Sequence, residues 1–322
     1  MNRREMLAAT AGVLFPSLLA HAQQSPWPAR PVRLIVPWAP GGAADVIART
    51  FAAKLTEHWG QQVVIENKPG GNTIVGAVEA LRAAPDGYTL FMPIAATLTT
   101  NPFMYSRLQY EPLRDFTFIT VIARVPLIVM ASSVAPAKTL PEIIQLAKRS
   151  PDSVTIGSAV GSQLQAEQWM RDWGVKFRYV AYKSGADITK ALLGGEVHLG
   201  LDAIPNNLPH IRAGKITGLA VNTEQRMPIV PDVPTMDELK LKHTEPQVWH
   251  GIVAPAGLPA ELQRKINADL QAVIGSPDVN DRLKDLGLDL RPGIGPDEFG
   301  KLVRAESAVA GPLVKELGLK VD

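Results

Sequence analysis

The chain of 322 residues contains no cysteine. That absence excludes thiol nucleophiles, disulfides, Fe–S clusters and cysteine-ligated zinc. An exported protein with a large core folds without disulfides, so the absence does not fix a compartment. A surplus of one charge is also lacking: 33 Lys+Arg stand against 31 Asp+Glu, for a net charge of +2. Such a balance supplies neither the basic field that nucleic acid requires nor an acidic tail. The six histidines, at 21, 58, 198, 210, 243 and 250, are scattered. They form no H-E-x-x-H and no paired metal spacing, so neither a metal nor a cofactor is expected. There is no P-loop, no G-x-G-x-x-G after a strand and no G-x-S-x-G. Internal repeats and low-complexity tracts are missing too.

What is present is a folding composition, 46% hydrophobic and 20% charged, at a length that suits one large domain or two lobes. Arg3 and Arg4 precede an apolar run, Met6 to Ala20, too short for the roughly 20 residues that span a bilayer. It ends at Ala20-His21-Ala22, small residues at the positions a signal peptidase reads. Residues 1–22 are therefore expected to be a cleaved export signal. Asn2-Arg3-Arg4-Glu5-Met6-Leu7 is similar to a twin-arginine signal, with Asn and Met in place of the usual Ser/Thr and Phe, so twin-arginine and general secretory export both stay open. No later apolar run is long enough to span a membrane, and a periplasmic protein is expected.

Beyond the signal, short apolar runs alternate with helical patterns. Strands are expected at 32–36, 63–65, 88–92, 116–123, 127–131, 154–156, 177–180, 197–201, 219–221 and 249–254. A first helix should follow Gly41-Gly42, with Ile47, Phe51, Leu55 and Trp59 as its buried stripe. Others are expected through Val75, Val78 and Leu81, over 140–149 with Pro141 at its start, and at 163–173, 188–193 and 208–213. The tail is helical, with Leu262, Ile266, Leu270 and Ile274 on one face. The opening β-α-β-α-β order predicts a parallel sheet.

Two glycine loops are the strongest local signal: Pro37-Trp38-Ala39-Pro40-Gly41-Gly42-Ala43-Ala44-Asp45 and Asn67-Lys68-Pro69-Gly70-Gly71-Asn72. Each follows a strand and opens a helix, where free amides and partial positive charge suit a carboxylate or phosphate. Glycine allows close approach of a ligand to the backbone. In an open α/β sheet, ligands bind beyond the carboxyl ends of the strands, where these loops lie. Ordinary turns remain the alternative for either loop alone. Asp45 reads first as an acid in the opening helical turn, paired with Arg49, and second as a ligand or water contact. Trp38 is expected in a pocket. A third strand-to-helix junction, Gly157 to Gln163, offers Ser158, Ser162 and Gln163 as hydrogen-bond donors, with helix capping by Ser162 as the alternative. Tyr182-Lys183 and Asp202 stand at the ends of two further strands. Lys183 reads as a solvated lysine, and Asp202 serves either a ligand or the turn before Pro205.

Taken in order, these residues resemble the periplasmic solute-binding proteins of tripartite tricarboxylate transporters, the Bug receptors. The resemblance is carried by Pro31-Val32-Arg33-Leu34-Ile35-Val36-Pro37, Gly41-Gly42 with Asp45, and Val64-Ile65-Glu66-Asn67-Lys68-Pro69-Gly70. Further matches are Pro85-Asp86-Gly87-Tyr88-Thr89-Leu90, Asn101-Pro102, Leu208-Pro209-His210-Ile211 and Pro231-Asp232-Val233-Pro234-Thr235. It implies a fold like the type II periplasmic binding proteins: two α/β lobes with a ligand cleft between them, residues 26–124 plus 248–322 and residues 125–247. It implies a monomeric receptor for a small carboxylate, docking on membrane transporter subunits, and no catalysis. By that resemblance Ala39, Pro40, Gly41, Gly42, Gly70, Gly71 and Asn72 meet the ligand from one lobe. Ser158, Ser162, Gln163, Tyr182 and Asp202 meet it from the other. Three departures alter the donor set: Ala44 where a hydroxyl residue is frequent, a second loop shortened after Gly71, and Gln163 where a histidine is common. A more apolar or amide-bearing acid therefore fits as well as a dicarboxylate. Two rivals remain, a secreted α/β hydrolase using Ser158 with His198 or His210, and a ligand-sensing module for a signalling partner.

Overall fold

The computed structural model describes residues 27–242, 248–285, 287, 288, 290 and 293–320; the expected export signal lies outside them. Two five-stranded sheets organise the chain into two lobes. The first contains β1 (Val32–Val36), β2 (Val63–Asn67), β3 (Thr89–Phe91), β4 (Phe116–Arg124) and β10 (Trp249–Pro255), in the order β2-β1-β3-β10-β4. The second contains β5 (Leu127–Ala131), β6 (Thr155–Ala159), β7 (Arg178–Tyr182), β8 (Leu199–Ala203) and β9 (Thr217–Val221), in the order β7-β6-β8-β5-β9.

Each sheet is covered on both faces, which is why its strands read as near-continuous apolar runs. On β1, Val32, Leu34 and Val36 face one core together with Ile47, Phe51 and Leu55 of α1 (Ala43–Trp59) and Ile266, Leu270 and Ile274 of α10 (Ala260–Ile274). Ile35 points the other way, to Ala77 and Ala80 of α2 (Ile74–Leu81) and Phe299 and Val303 of α12 (Pro296–Glu316). In the second lobe, Leu127 and Val129 pack with Ile143 of α6 (Leu140–Arg149) and Trp169 of α7 (Val160–Trp173). Ile128 and Met130 pack with Ile188 and Leu192 of α8 (Gly185–Gly194). The alternation is the period of two that a strand imposes.

The predicted parallel order holds for β2, β1 and β3, and for β7, β6 and β8. Both sheets are nevertheless mixed. β10 runs antiparallel to β3 and β4, and β5 antiparallel to β8 and β9. Connectivity is the cause. The chain passes from β4 into β5 through Val125-Pro126 alone and returns along β10, so no helical crossover reverses its direction there. The two passages are joined: the Val125 amide donates to the Val248 carbonyl at 2.8 Å. Asn222 brackets the exit, accepting from the Leu127 amide at 2.8 Å and donating its own amide to the Leu127 carbonyl at 3.2 Å.

Three helix starts lie upstream of the predicted ones, α7 at Val160, α8 at Gly185 and α9 (Ile204–Arg212) at Ile204. In α9 a proline occupies the first turn, where its missing N–H is harmless. The short α3 (Ala95–Thr99) and α4 (Asn101–Met104) carry no helical apolar stripe that would announce them. The two threonines of α3 have poor helix propensity, and the burial of all five of its residues stabilises that turn instead.

Candidate functional site

The first glycine loop leaves β1 and exposes Ala39, Pro40, Gly41 and Gly42 to solvent. Gly41 has φ 86°, a left-handed conformation that glycine adopts without penalty. α1 starts after Gly42 with no side-chain cap, so its opening amides carry the partial positive charge of an unsatisfied helix start. Asp45 shapes the loop from inside. It is 2% exposed. Its Oδ2 accepts from the Gly41 amide at 3.0 Å and from Arg49 Nε at 2.8 Å, and its Oδ1 accepts from Asn67 Nδ2 at 3.0 Å. Burial pushes its pKa up, but the bonds from Arg49, Gly41 and Asn67 outweigh that and hold it below the ordinary carboxylate value. The Asp45 oxygens and the Gly41 amide are thus engaged within the protein. Asn67 Nδ2 also donates to the Trp38 carbonyl at 2.9 Å, tying the loop to the end of β2. The Trp38 ring packs on the α1 side of the core, and its Nε1 is buried with no partner among the described residues.

The second loop is one of the more constrained segments of the chain. Gly70 (φ 128°), Gly71 (54°), Asn72 (48°) and Thr73 (77°) are left-handed in succession. α2 then begins at Ile74, again without a side-chain cap. Asn72 Nδ2 donates to Asn101 Oδ1 at 2.8 Å, so this side chain turns toward α4. Because Val36 pairs with Asn67 at the ends of adjacent parallel strands, the uncapped starts of α1 and α2 lie next to each other.

In the second lobe, α7 begins after Ala159 without a side-chain cap. Ser162 and Gln163 stand in its opening turn, half-buried, and their side chains make no hydrogen bond to another described residue. The capping alternative for Ser162 does not arise, because Ala159 occupies the cap position. Ser158 is fully buried; its Oγ lies 3.0 Å from the Tyr179 hydroxyl and 3.2 Å from the Ala159 carbonyl. His198 Nδ1 accepts from the Thr155 amide at 3.0 Å. Ser158 pairs with Leu201 and Ile156 with Leu199, so His198 sits about 10 Å back along the sheet from Ser158. The Ser158–His198 pair of the hydrolase reading is not brought together.

Tyr182 folds back over Gly157, where an added Cβ would lie 2.7 Å from its Cε2. Burial raises its pKa, and the charge of Glu196, before β8, adds to the rise. The ring thus lies back along β6, over Gly157 and not beyond its strand partner Ala159. Lys183 is exposed. Asp202 Oδ2 accepts from Asn206 Nδ2 and Asn207 Nδ2, both at 3.0 Å. Burial raises its pKa despite the bonds from Asn206, Ala203 and Asn207. It packs beneath the start of α8, where a Cβ on Gly185 would fall 2.4 Å from its Oδ2.

The lobes meet beside these junctions. Leu164, one residue past Gln163, shares a buried cluster with Met104 of α4 and Ala310, Leu313 and Val314 of α12. Arg171 and Glu316 form an ion pair at 2.8 Å across the same face. Ala203, at the end of β8, packs on the first lobe's core. Several contributors escaped the sequence reading: Asn67 as a brace between loops, and Thr97, Asn101 and Tyr105 behind the second loop. The run Thr97-Leu98-Thr99-Thr100-Asn101 was the available signal, being polar groups in a stretch that is otherwise apolar. Among the described residues, no three His, Asp or Glu side chains converge on a metal position, and no helix is long and apolar enough to cross a membrane.

A family model described as the tripartite tricarboxylate transporter family receptor matches residues 47–319. Protein BugT of Bordetella pertussis is 32% identical over 290 residues, covering 84% of this chain and 86% of that protein. The Rhodopseudomonas palustris protein Rpa4515, solved with adipate, is 34% identical with a TM-score of 0.81, covering 91% of this chain and 98% of that one. MatC from the same organism, solved with bound malate, is 31% identical with a TM-score of 0.75, covering 89% and 99%.

Proposed function

Because the chain belongs to the tripartite tricarboxylate transporter receptor family, we propose that it is a monomeric periplasmic receptor. It binds a small organic acid between its lobes, leaves it chemically unchanged and delivers it to membrane subunits of such a transporter. The observation that carries this reading is the opening amides of α1, which no side chain caps, next to the glycine loop that starts α2 in the first lobe. Such amides hold an anion without a buried arginine. Adipate and malate, bound to two similar proteins, are acids of the expected size.

In this reading Ala39, Pro40, Gly42, Gly70 and Gly71 line the carboxylate grip, and Trp38 Nε1 offers a further donor. Ser162 and Gln163 meet the ligand from α7. Gly41, Asp45, Asn72 and Asp202 hold the loops in shape, while Ser158 and Tyr182 lie behind the contact surface. A ligand touching both lobes favours the closed state, with rotation about residues 124–127 and 248. The test is a panel of organic acids that includes adipate and malate, read by melting temperature and by solution scattering. A binder raises the first and shrinks the particle. Gly41→Asp, which places a second carboxylate beside Asp45, abolishes both responses. A panel that moves neither quantity refutes the receptor reading.

A further inference from the structure

We propose that Asn101 and Thr97 are positioning residues for ligand binding. From α4 and α3, outside either glycine loop, they hold the second loop in its left-handed conformation beside the opening amides of α1. This inference rests on the carboxylate reading above.

The loop alone does not explain its own shape. Its backbone bonds, from the Ile74 amide to the Gly71 carbonyl and from the Val75 amide to the Gly70 carbonyl, close a turn and no more. Gly70 and Gly71 accept left-handed dihedrals freely, and Asn72 tolerates them. Thr73 does not: a β-branched residue at φ 77° is strained, and such strain persists where surroundings over-determine it. The surroundings here are a polar network within the apolar core. Asn101 Nδ2 donates to the Asn72 carbonyl at 2.9 Å while Asn101 Oδ1 accepts from Asn72 Nδ2 at 2.8 Å. Thr97 Oγ1 lies 2.6 Å from Thr73 Oγ1, and the Thr73 hydroxyl also donates to the Asn72 carbonyl. The Tyr110 hydroxyl donates to the Thr97 carbonyl at 2.7 Å.

Asn101 and Thr97 are fully buried, and Thr73 is 1% exposed. Buried polar groups are costly when unpaired, so any other loop conformation strands several of them at once. The network also reaches the opposite lobe. The Tyr105 amide donates to the Asn101 carbonyl at 3.1 Å, and Tyr105 packs on the cluster containing Leu164 of α7.

The test uses the full mature chain. Asn101→Ala removes the reciprocal amide pair, and Thr97→Val removes a hydroxyl at constant shape. Thr97→Ser restores the hydroxyl, and Val273→Ala, in the far core of the same lobe, serves as a destabilised control. Two quantities are read: hydrogen exchange of residues 68–78 without ligand, and calorimetric Kd for adipate and malate below the melting range. Asn101→Ala and Thr97→Val accelerate exchange and weaken binding, each about tenfold or more. Thr97→Ser and Val273→Ala leave both within about twofold. Unchanged exchange in Asn101→Ala overturns the proposal, as does a loosened loop with full affinity. If the unaltered protein binds no acid in a broad panel, the carboxylate reading fails by itself, and the exchange data still decide whether these residues hold the loop.

Discussion

Asp45 offers the sharpest test of how the first glycine loop is held. The substitution is Asp45→Ala, which removes the acceptor of the Gly41 amide, Arg49 Nε and Asn67 Nδ2. Hydrogen bonds to a charged group contribute about 1.5–3 kcal/mol each and neutral ones about 1 kcal/mol, but the three are not additive here. The Arg49 side chain is 54% exposed and rehydrates when released, so its share is small. Asn67 Nδ2 retains the Trp38 carbonyl. What remains is the carboxylate–Gly41 bond and part of the Asn67 bond, about 2 kcal/mol in total, or about 4 °C in melting temperature for a chain of this size. The pH dependence is a second check. The native pKa of Asp45 lies below its unfolded value, so its contribution is complete above the unfolded pKa of about 3.9. It is lost as pH falls through the native value. Urea unfolding of both proteins should give a gap that is flat between about pH 5 and pH 8 and closes below about pH 4. Affinity for adipate should fall with it, because Gly41 loses its tether. A gap below about 0.5 kcal/mol, the level of an ordinary surface substitution, or one that varies across the neutral range, refutes this account of the loop.

His250 on β10 is 5% exposed, its Nδ1 has no partner among the described residues, and burial pushes its pKa down to about 4. Its stabilisation is present above the unfolded value near 6.5 and is lost between there and pH 4. Relative to His250→Asn, the protein should lose about 3 kcal/mol over that window in denaturant titrations. Glu306 behaves oppositely. Burial raises it to about 7 against the Trp249 Nε1 bond and the charge of Arg124, so native stability falls as pH rises from the unfolded value through 7. Relative to Glu306→Gln the loss should reach about 2 kcal/mol by pH 8, after discounting its partial exposure. Gly185→Ala drives a Cβ to 2.4 Å from both Asp202 Oδ2 and Asn206 Nδ2 and should cost about 3 kcal/mol, the upper end of overpacking. Gly41→Ala, whose Cβ meets nothing within 4 Å, should cost about 1 kcal/mol through its left-handed φ alone. Equal melting temperatures for these two alanine variants would contradict the distinction.

Much of the architecture was legible in the amino-acid order because the signals are local. The stripe Ile47, Phe51, Leu55 marks α1 as an amphipathic helix whatever it packs against, and the apolar runs of β1 and β5 announce strands buried on both faces. Pro37 to Asp45 and Asn67 to Asn72 mark themselves as loops opening helices, since glycine and an early acid serve only a few backbone geometries. The antiparallel insertion of β10 between β3 and β4 was not legible, because strand partners separated by more than a hundred residues leave no periodicity in either segment. Nor was the partition of polar groups. Asp45, Ser158, Asn72 and Asp202 carry the same functional groups whether they face a ligand or the protein. Only the folded neighbours, Gly41 and Asn67, Tyr179, Asn101, and Asn206 and Asn207, decide where their hydrogen bonds go. A side chain's chemistry is written in the sequence, whereas the partner that satisfies it is supplied by whichever distant segment the packed core brings within about 3 Å.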